Sequence, residues 1–311
     1  MPRGGKAWLC FRQSNINVND DDKCTPALFR LRFARDVRCV AEHHGPDYVR
    51  CSISMLEHPR RERMFNVPPV VLVLTAVLVA VQAFFSVGLT AEQKDDFLAL
   101  FAFIPARYDV TVTPDIVWPG GWAAGVWTFV TYALIHGNLT HLIFNVVWLL
   151  AFGSPVARRF GWLRFLAFMA IGAAAGAAMV LVTHFGELLT LVGASAAISG
   201  AMAAAMRFVF QRGGPLMHWH SSEDAYRVPA LPLTSCLQDP RVLAFLLVWF
   251  GVNLLFGLDA VGMAAVGEKI AWQAHIGGFL AGLLAFAAFD PVPRSAAVGT
   301  REGGGIPPSS A

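Results

Sequence analysis

The chain has 311 residues, of which 56% are hydrophobic and 14% charged, with a formal net charge of +3 and a mean hydropathy of +0.53. Soluble domains carry about 25% charged residues, so a soluble enzyme is excluded and a membrane body with polar flanks is expected. Five cysteines (Cys10, Cys24, Cys39, Cys51, Cys236) form no CxxC pair, which argues against a disulfide framework and a zinc site. The basic residues are scattered or flank apolar spans, so no nucleic-acid partner is indicated.

Residues 1–63 are polar and lack the apolar stretch of a signal peptide; they read as a disordered cytoplasmic extension, with Met55 or Met64 as alternative starts. The membrane body is expected over 64–290. Its first span is placed at Val67–Val87, behind Arg60, Arg61 and Arg63. A long connection, Gly88–Gly137, is rich in Phe, Trp, Pro and Gly and suits the membrane interface. The second span is placed at Leu139–Phe152 and the third at Phe165–Val182, with Arg158, Arg159 and Arg164 between them.

A tight turn with His184 and Glu187 leads to the fourth span, Leu188–Phe210. A polar loop of 211–240 follows, then spans at Val242–Leu258 and Ile270–Phe289. The tail, 291–311, is Gly/Pro/Ser-rich and reads as disordered. The fold class is therefore all-α, a polytopic six-helix bundle. Arginines gather in the leader and after spans two and four, so the positive-inside rule puts both termini in the cytoplasm.

That orientation makes spans two, four and six all run inward. His141 and Asn145, Ser195, and His275 then fall early in three separate helices, at similar depth in the outer half of the membrane. Polar groups at such depth face a bundle interior or a cavity. The first half of span four is nearly free of side chains, with Gly193, Ala194, Ala196, Ala197 and Gly200 around Ser195. Small residues let helices approach closely, and Gly278 and Gly282 form a GxxxG in span six, Gly172 and Gly176 another in span three.

A serine becomes a nucleophile when a base such as imidazole takes its proton. Ser195 and His275 supply that pair if their helices touch. Asn145, His141 and the Ser195 N–H are candidate donors for an oxyanion. No carboxylate lies near His275 in these helices, so a dyad is expected rather than a triad. Each residue alone has a plainer reading. A membrane serine commonly bonds back one turn, a lone helical histidine packs, and His and Asn glue helices. Their joint occurrence at one depth favours the chemistry. His43, His44, His184, His218 and His220 read as solvated or interfacial, and the Asn138-Leu-Thr140 triplet is discarded as a glycosylation site.

The stretch His136-Gly-Asn-Leu-Thr-His141-Leu-Ile-Phe-Asn145, then Gly193-Ala-Ser195, then Ala274-His275-Ile-Gly-Gly278-Phe-Leu-Ala-Gly282 resembles the rhomboid intramembrane serine proteases over roughly Val67–Asp290. The resemblance implies Ser195 as nucleophile, His275 as base, His141 and Asn145 as oxyanion helpers, and structural support from His136, Gly193, Gly278 and Gly282. Phe144 falls where the family has a bulky gate residue. It also implies an endopeptidase without metal or cofactor that cuts transmembrane segments of other proteins in the lipid bilayer. A bacterial inner membrane is the implied location, and the oligomeric state is left open.

Two departures stand out: Ala196 replaces the usual Gly after the serine, and loop one lacks an adjacent Trp-Arg pair, Arg107-Tyr108 being a loose counterpart. Rival readings are a non-proteolytic rhomboid-fold protein that binds or remodels membrane clients, and a small transporter. The first is disfavoured because both Ser195 and His275 are present, the second because no internal repeat or intramembrane carboxylate is evident. No HExxH motif supports a zinc protease.

Overall fold

The computed structural model describes residues 8–12, 37–43, 48–55, 67–211, 213–217, 223–257 and 271–293. The chain divides into two compact units, Met1–Asn66 and Val67–Ala311. His44, His218, His220, the alternative start Met64 and the tail beyond residue 293 lie outside the described residues.

Where the polar composition of 1–63 points to disorder, the first unit contains an antiparallel sheet. Strands β1 (Trp8–Arg12), β2 (Val37–His43) and β3 (Tyr48–Met55) pair in the order β1-β3-β2. Leu9 faces Cys51 and Val40 faces Ser52 across the ladders. Short runs with β-branched and aromatic residues at intervals, such as Tyr48-Val-Arg-Cys-Ser-Ile-Ser-Met55, fit a pleated strand despite their polarity.

The second unit is all-α. Helix α1 (Pro69–Val87) opens it, followed in loop one by α2 (Ala91–Phe101) and α3 (Gly121–Thr131). Next come α4 (Leu139–Trp148), continued through a π turn at Leu149–Gly153 into α5 (Ser154–Phe160), and α6 (Trp162–Thr183). The series ends with α7 (Ser195–Ala205), the single turn α8 (Leu233–Cys236), α9 (Pro240–Gly257) and α10 (Trp272–Phe289). Among the described residues, four helical segments are long and apolar enough to cross a membrane: Pro69–Val87, Leu139–Phe160, Trp162–Thr183 and Trp272–Phe289. Two apolar helices are shorter, Ser195–Ala205 and Pro240–Leu255. The body is thus an integral-membrane helical bundle.

The fourth span departs most from expectation. Leu188–Ala194 is not helical, and α7 begins only at Ser195. The reason is local. Leu191 and Phe103 exchange backbone hydrogen bonds of 2.8 and 3.2 Å, and the Gly193 N–H donates to the Tyr132 carbonyl at 3.1 Å. These bonds hold the segment extended against loop one. Gly193 sits at φ +110°, a conformation open to glycine but strained for other residues.

Every residue of α7 after Ser195 is buried. A β-carbon on Gly172 would meet the Ala197 backbone at 3.1 Å, and one on Gly282 would meet the Gly200 backbone at 2.3–2.7 Å. The two GxxxG pairs therefore clasp α7 between α6 and α10 at backbone distance, the arrangement that small residues permit in lipid.

Loop one is tied down by its own polar groups. Thr90 and Gln93 form a reciprocal capping box at the start of α2. The Arg107 guanidinium donates to the Ala99 and Pro119 carbonyls and lies 4.9 Å over the Trp118 ring. A Trp–Arg pair therefore exists in space although the sequence lacks an adjacent one. Tyr108 donates to the Gly125 carbonyl at 2.6 Å and Trp127 to that of Leu100 at 2.9 Å.

Candidate functional site

Three helices and one loop bring the candidate residues together. Ser195 is the first residue of α7, half-buried, and its Oγ lies 2.8 Å from Nε2 of His275 in the first turn of α10. The contact joins residues 80 positions apart in sequence. It exists because the glycines of α10 let that helix lie against α7: a β-carbon on Gly278 would sit 2.0 Å from the Ala196 carbonyl.

The back-bonding serine of α7 is Ser199. Its Oγ donates to the Ser195 carbonyl at 2.8 Å, one turn earlier, while the Ser195 hydroxyl points at the imidazole instead.

On α4, Asn138 is the N-cap, its side chain accepting the His141 N–H at 2.9 Å. That bond sets the first turn, from which His141 projects, and Asn145 follows one turn later on the same face. The His141 ring lies against Gly193, where an added β-carbon would come within 2.6 Å of Nε2. Gly193 is thus needed twice, for its backbone angle and for the room it leaves. Asn145 is buried, and its Nδ2 donates to the His141 carbonyl at 2.9 Å, which leaves its second N–H for another acceptor. Phe144 is exposed on the same helix.

His136, in the turn before α4, is fully buried with its ring edge-on to His141, centroids 5.1 Å apart. Burial lowers its pKa to about 3; the like charge that His141 would carry adds to this, and the Leu134 backbone opposes it. It stands behind His141 as a neutral ring.

Ala196 is accommodated by a complementary absence. A β-carbon on Gly176 of α6 would lie 2.4 Å from the Ala196 methyl, so the methyl that distinguishes this chain occupies the space a side chain at 176 would need.

One residue at the site carries no signal in the motifs. Asn253 on α9 is buried, and its Oδ1 is 2.6 Å from Nδ1 of His275. A search for carboxylates passes over it because an amide is neutral. The usable signal is a lone Asn in an otherwise apolar span, Val248-Trp-Phe-Gly-Val-Asn253-Leu-Leu255, where a polar group normally has a partner. An open cavity of about 730 Å³ in loop one, between Arg107, Trp118, Trp122 and Phe129, touches neither Ser195 nor His275.

Comparison with known proteins points the same way as the motifs. A family model described as the Rhomboid domain matches residues 123–290. A "Rhomboid protease GlpG" of Pectobacterium atrosepticum is 28% identical over 163 residues, 51% of this chain and 47% of that protein. One of Yersinia pestis (strain Pestoides F) is 25% identical over 190 residues, 60% of this chain and 57% of the relative. The chain spans about half the length of these curated relatives. Because the domain match takes in α4, α7 and α10 and covers more than half of the 311 residues, this chain belongs to the rhomboid family.

Proposed function

We propose that the chain is an intramembrane serine endopeptidase that cleaves transmembrane segments of other membrane proteins by a Ser195–His275 dyad. The observation that carries this reading is the 2.8 Å contact between Ser195 Oγ and His275 Nε2 inside an apolar helical bundle. The names of the relatives, rhomboid proteases, support it.

His275 Nε2 takes the hydroxyl proton as Ser195 Oγ attacks the scissile carbonyl. The carbonyl oxygen becomes an oxyanion, met by the Ser195 N–H at the start of α7, the second Asn145 N–H and the His141 ring. The C–N bond then breaks, and His275 returns its proton to the leaving amine. Water enters, gives a proton to His275 and attacks the acyl ester; the proton goes back to Ser195 as the acid leaves. No metal or cofactor is required.

The polypeptide crosses the membrane six times in this reading, with both termini cytoplasmic and the site open to the outer side of a bacterial inner membrane. Substrate enters from lipid and unwinds to present a carbonyl at the narrow Gly/Ala-lined site, which favours a small residue before the cut.

The test is labelling of detergent-solubilised protein by a fluorophosphonate, together with cleavage of a transmembrane reporter. Wild type labels and cuts, whereas Ser195→Ala and His275→Ala do neither. A folded wild type that neither labels nor cuts overturns the proposal and leaves a client-binding role for the same fold.

A further inference from the structure

We infer that Asn253 is a positioning residue for His275, one that fixes which ring nitrogen carries the proton. The inference rests on the reading of His275 as the base for Ser195, and it makes the working unit a chain of four groups drawn from three helices.

The chain starts at a backbone carbonyl. The Trp249 C=O, one turn earlier on α9, accepts a hydrogen bond from Asn253 Nδ2 at 2.7 Å. A carbonyl oxygen only accepts, so the amide must turn its NH2 toward Trp249 and its oxygen away. That oxygen is the atom 2.6 Å from His275 Nδ1. The amide oxygen too only accepts, so Nδ1 must be the protonated nitrogen of the neutral ring. Nε2 is then left with its lone pair facing Ser195 Oγ at 2.8 Å, the arrangement a base needs. With the amide reversed, its oxygen would face the Trp249 oxygen and the ring would present an N–H to the serine.

Asn253 is buried, 7% exposed, so bulk water is a poor substitute for either bond. The register that delivers it is fixed one turn away, where the Trp249 ring stacks on Phe279 with centroids 4.6 Å apart. Trp249 and Asn253 on α9 thereby face Phe279 and His275 on α10, each pair four residues apart, as expected for neighbours on one helix face. The role is that of the orienting third group in serine hydrolases, supplied here by a neutral amide, and an amide carries no net charge into the apolar bundle.

The test uses the full chain in detergent, labelled with nitrogen-15 in its histidine side chains, with His275→Ala assigning the His275 signals. The expected wild-type spectrum shows a neutral ring protonated at Nδ1. Asn253→Leu, which has similar volume and no acceptor, shifts that ring toward the Nε2-protonated form and slows fluorophosphonate labelling about 10- to 100-fold, within what a placed general base contributes. Asn253→Asp, which keeps an acceptor oxygen, restores the Nδ1-protonated form and most of the labelling rate.

An unchanged His275 tautomer in Asn253→Leu overturns the inference, as does equal slowing in both variants without any tautomer change. Should Asn253→Leu fail to fold, Asn253→Asp decides alone: loss of the Nδ1-protonated form overturns the role. A wild type that shows the tautomer but does not label leaves the positioning role standing and removes the protease reading, so the two failures are distinguishable.

Discussion

At the scale of single residues, the site is shaped as much by missing atoms as by present ones. Gly176 and Ala196 share one space, since a β-carbon at 176 would lie 2.4 Å from the Ala196 methyl and 3.0 Å from both the Ala274 carbonyl and the Tyr132 hydroxyl. Overpacking of this kind costs about 1–3 kcal/mol. Gly176→Ala is expected to lower the thermal midpoint, and adding Ala196→Gly to recover part of the loss; midpoints of the two variants that are equal would refute the coupling. His136 gives a pH effect. Its folded pKa of about 3 lies below the ordinary value of 6.5, so the unfolded chain binds the proton first and stability falls as pH drops from 6.5 toward 3. Thermal midpoints from pH 7 to 4 should decline more steeply in wild type than in His136→Leu, and parallel curves would count against it. What motifs can show was legible as placement: Ser195 and His275 meet at 2.8 Å, and the His141 ring lies against Gly193, two residues before Ser195. Asn253 was not legible, because its meaning depends on which face of α9 meets α10, and a single amide in an apolar run says nothing about facing.

Among the elements, existence was easier to read than extent. The apolar runs place α1, α6 and α10 within a few residues of the observed helices, since hydropathy over some twenty residues is a strong signal. The fourth run misled because apolar composition is shared by a helix and by a buried extended segment. What stops the helix at Ser195 is the backbone pairing of Leu191 with Phe103, 88 residues of context that no local pattern contains. The polar strands β1 to β3 were missed for the converse reason, their pairing being non-local. Arg159 shows a further limit. Counted as a loop cation, it is buried at 3% exposure and ties α5 to the end of α10. It pairs bidentately with Asp290 at 2.9 Å for both bonds, donates to the Tyr226 and Val228 carbonyls, and lies 4.6 Å from the Phe208 ring centroid. Removing one partner of a buried pair costs about 3–5 kcal/mol because the other is left uncompensated. Arg159→Met should therefore depress the thermal midpoint sharply, and Arg159→Met with Asp290→Leu should be milder than Arg159→Met alone. A double variant no better than the single would show that the carbonyl contacts, not the ion pair, hold this corner.

For the molecule as a whole, the order of its parts along the chain has a consequence for its synthesis. Ser195 and His275 emerge 80 residues apart, and at about 5–20 residues per second roughly 4–16 s pass between them. Over that interval α7 has neither His275 nor the α10 wall that closes its small-residue face, and Asn253, on α9, arrives shortly before the ring it contacts. On the proposed reading, a newborn chain cannot cut itself or other segments passing through the same insertion machinery until α10 docks on α7 and brings His275 to Ser195.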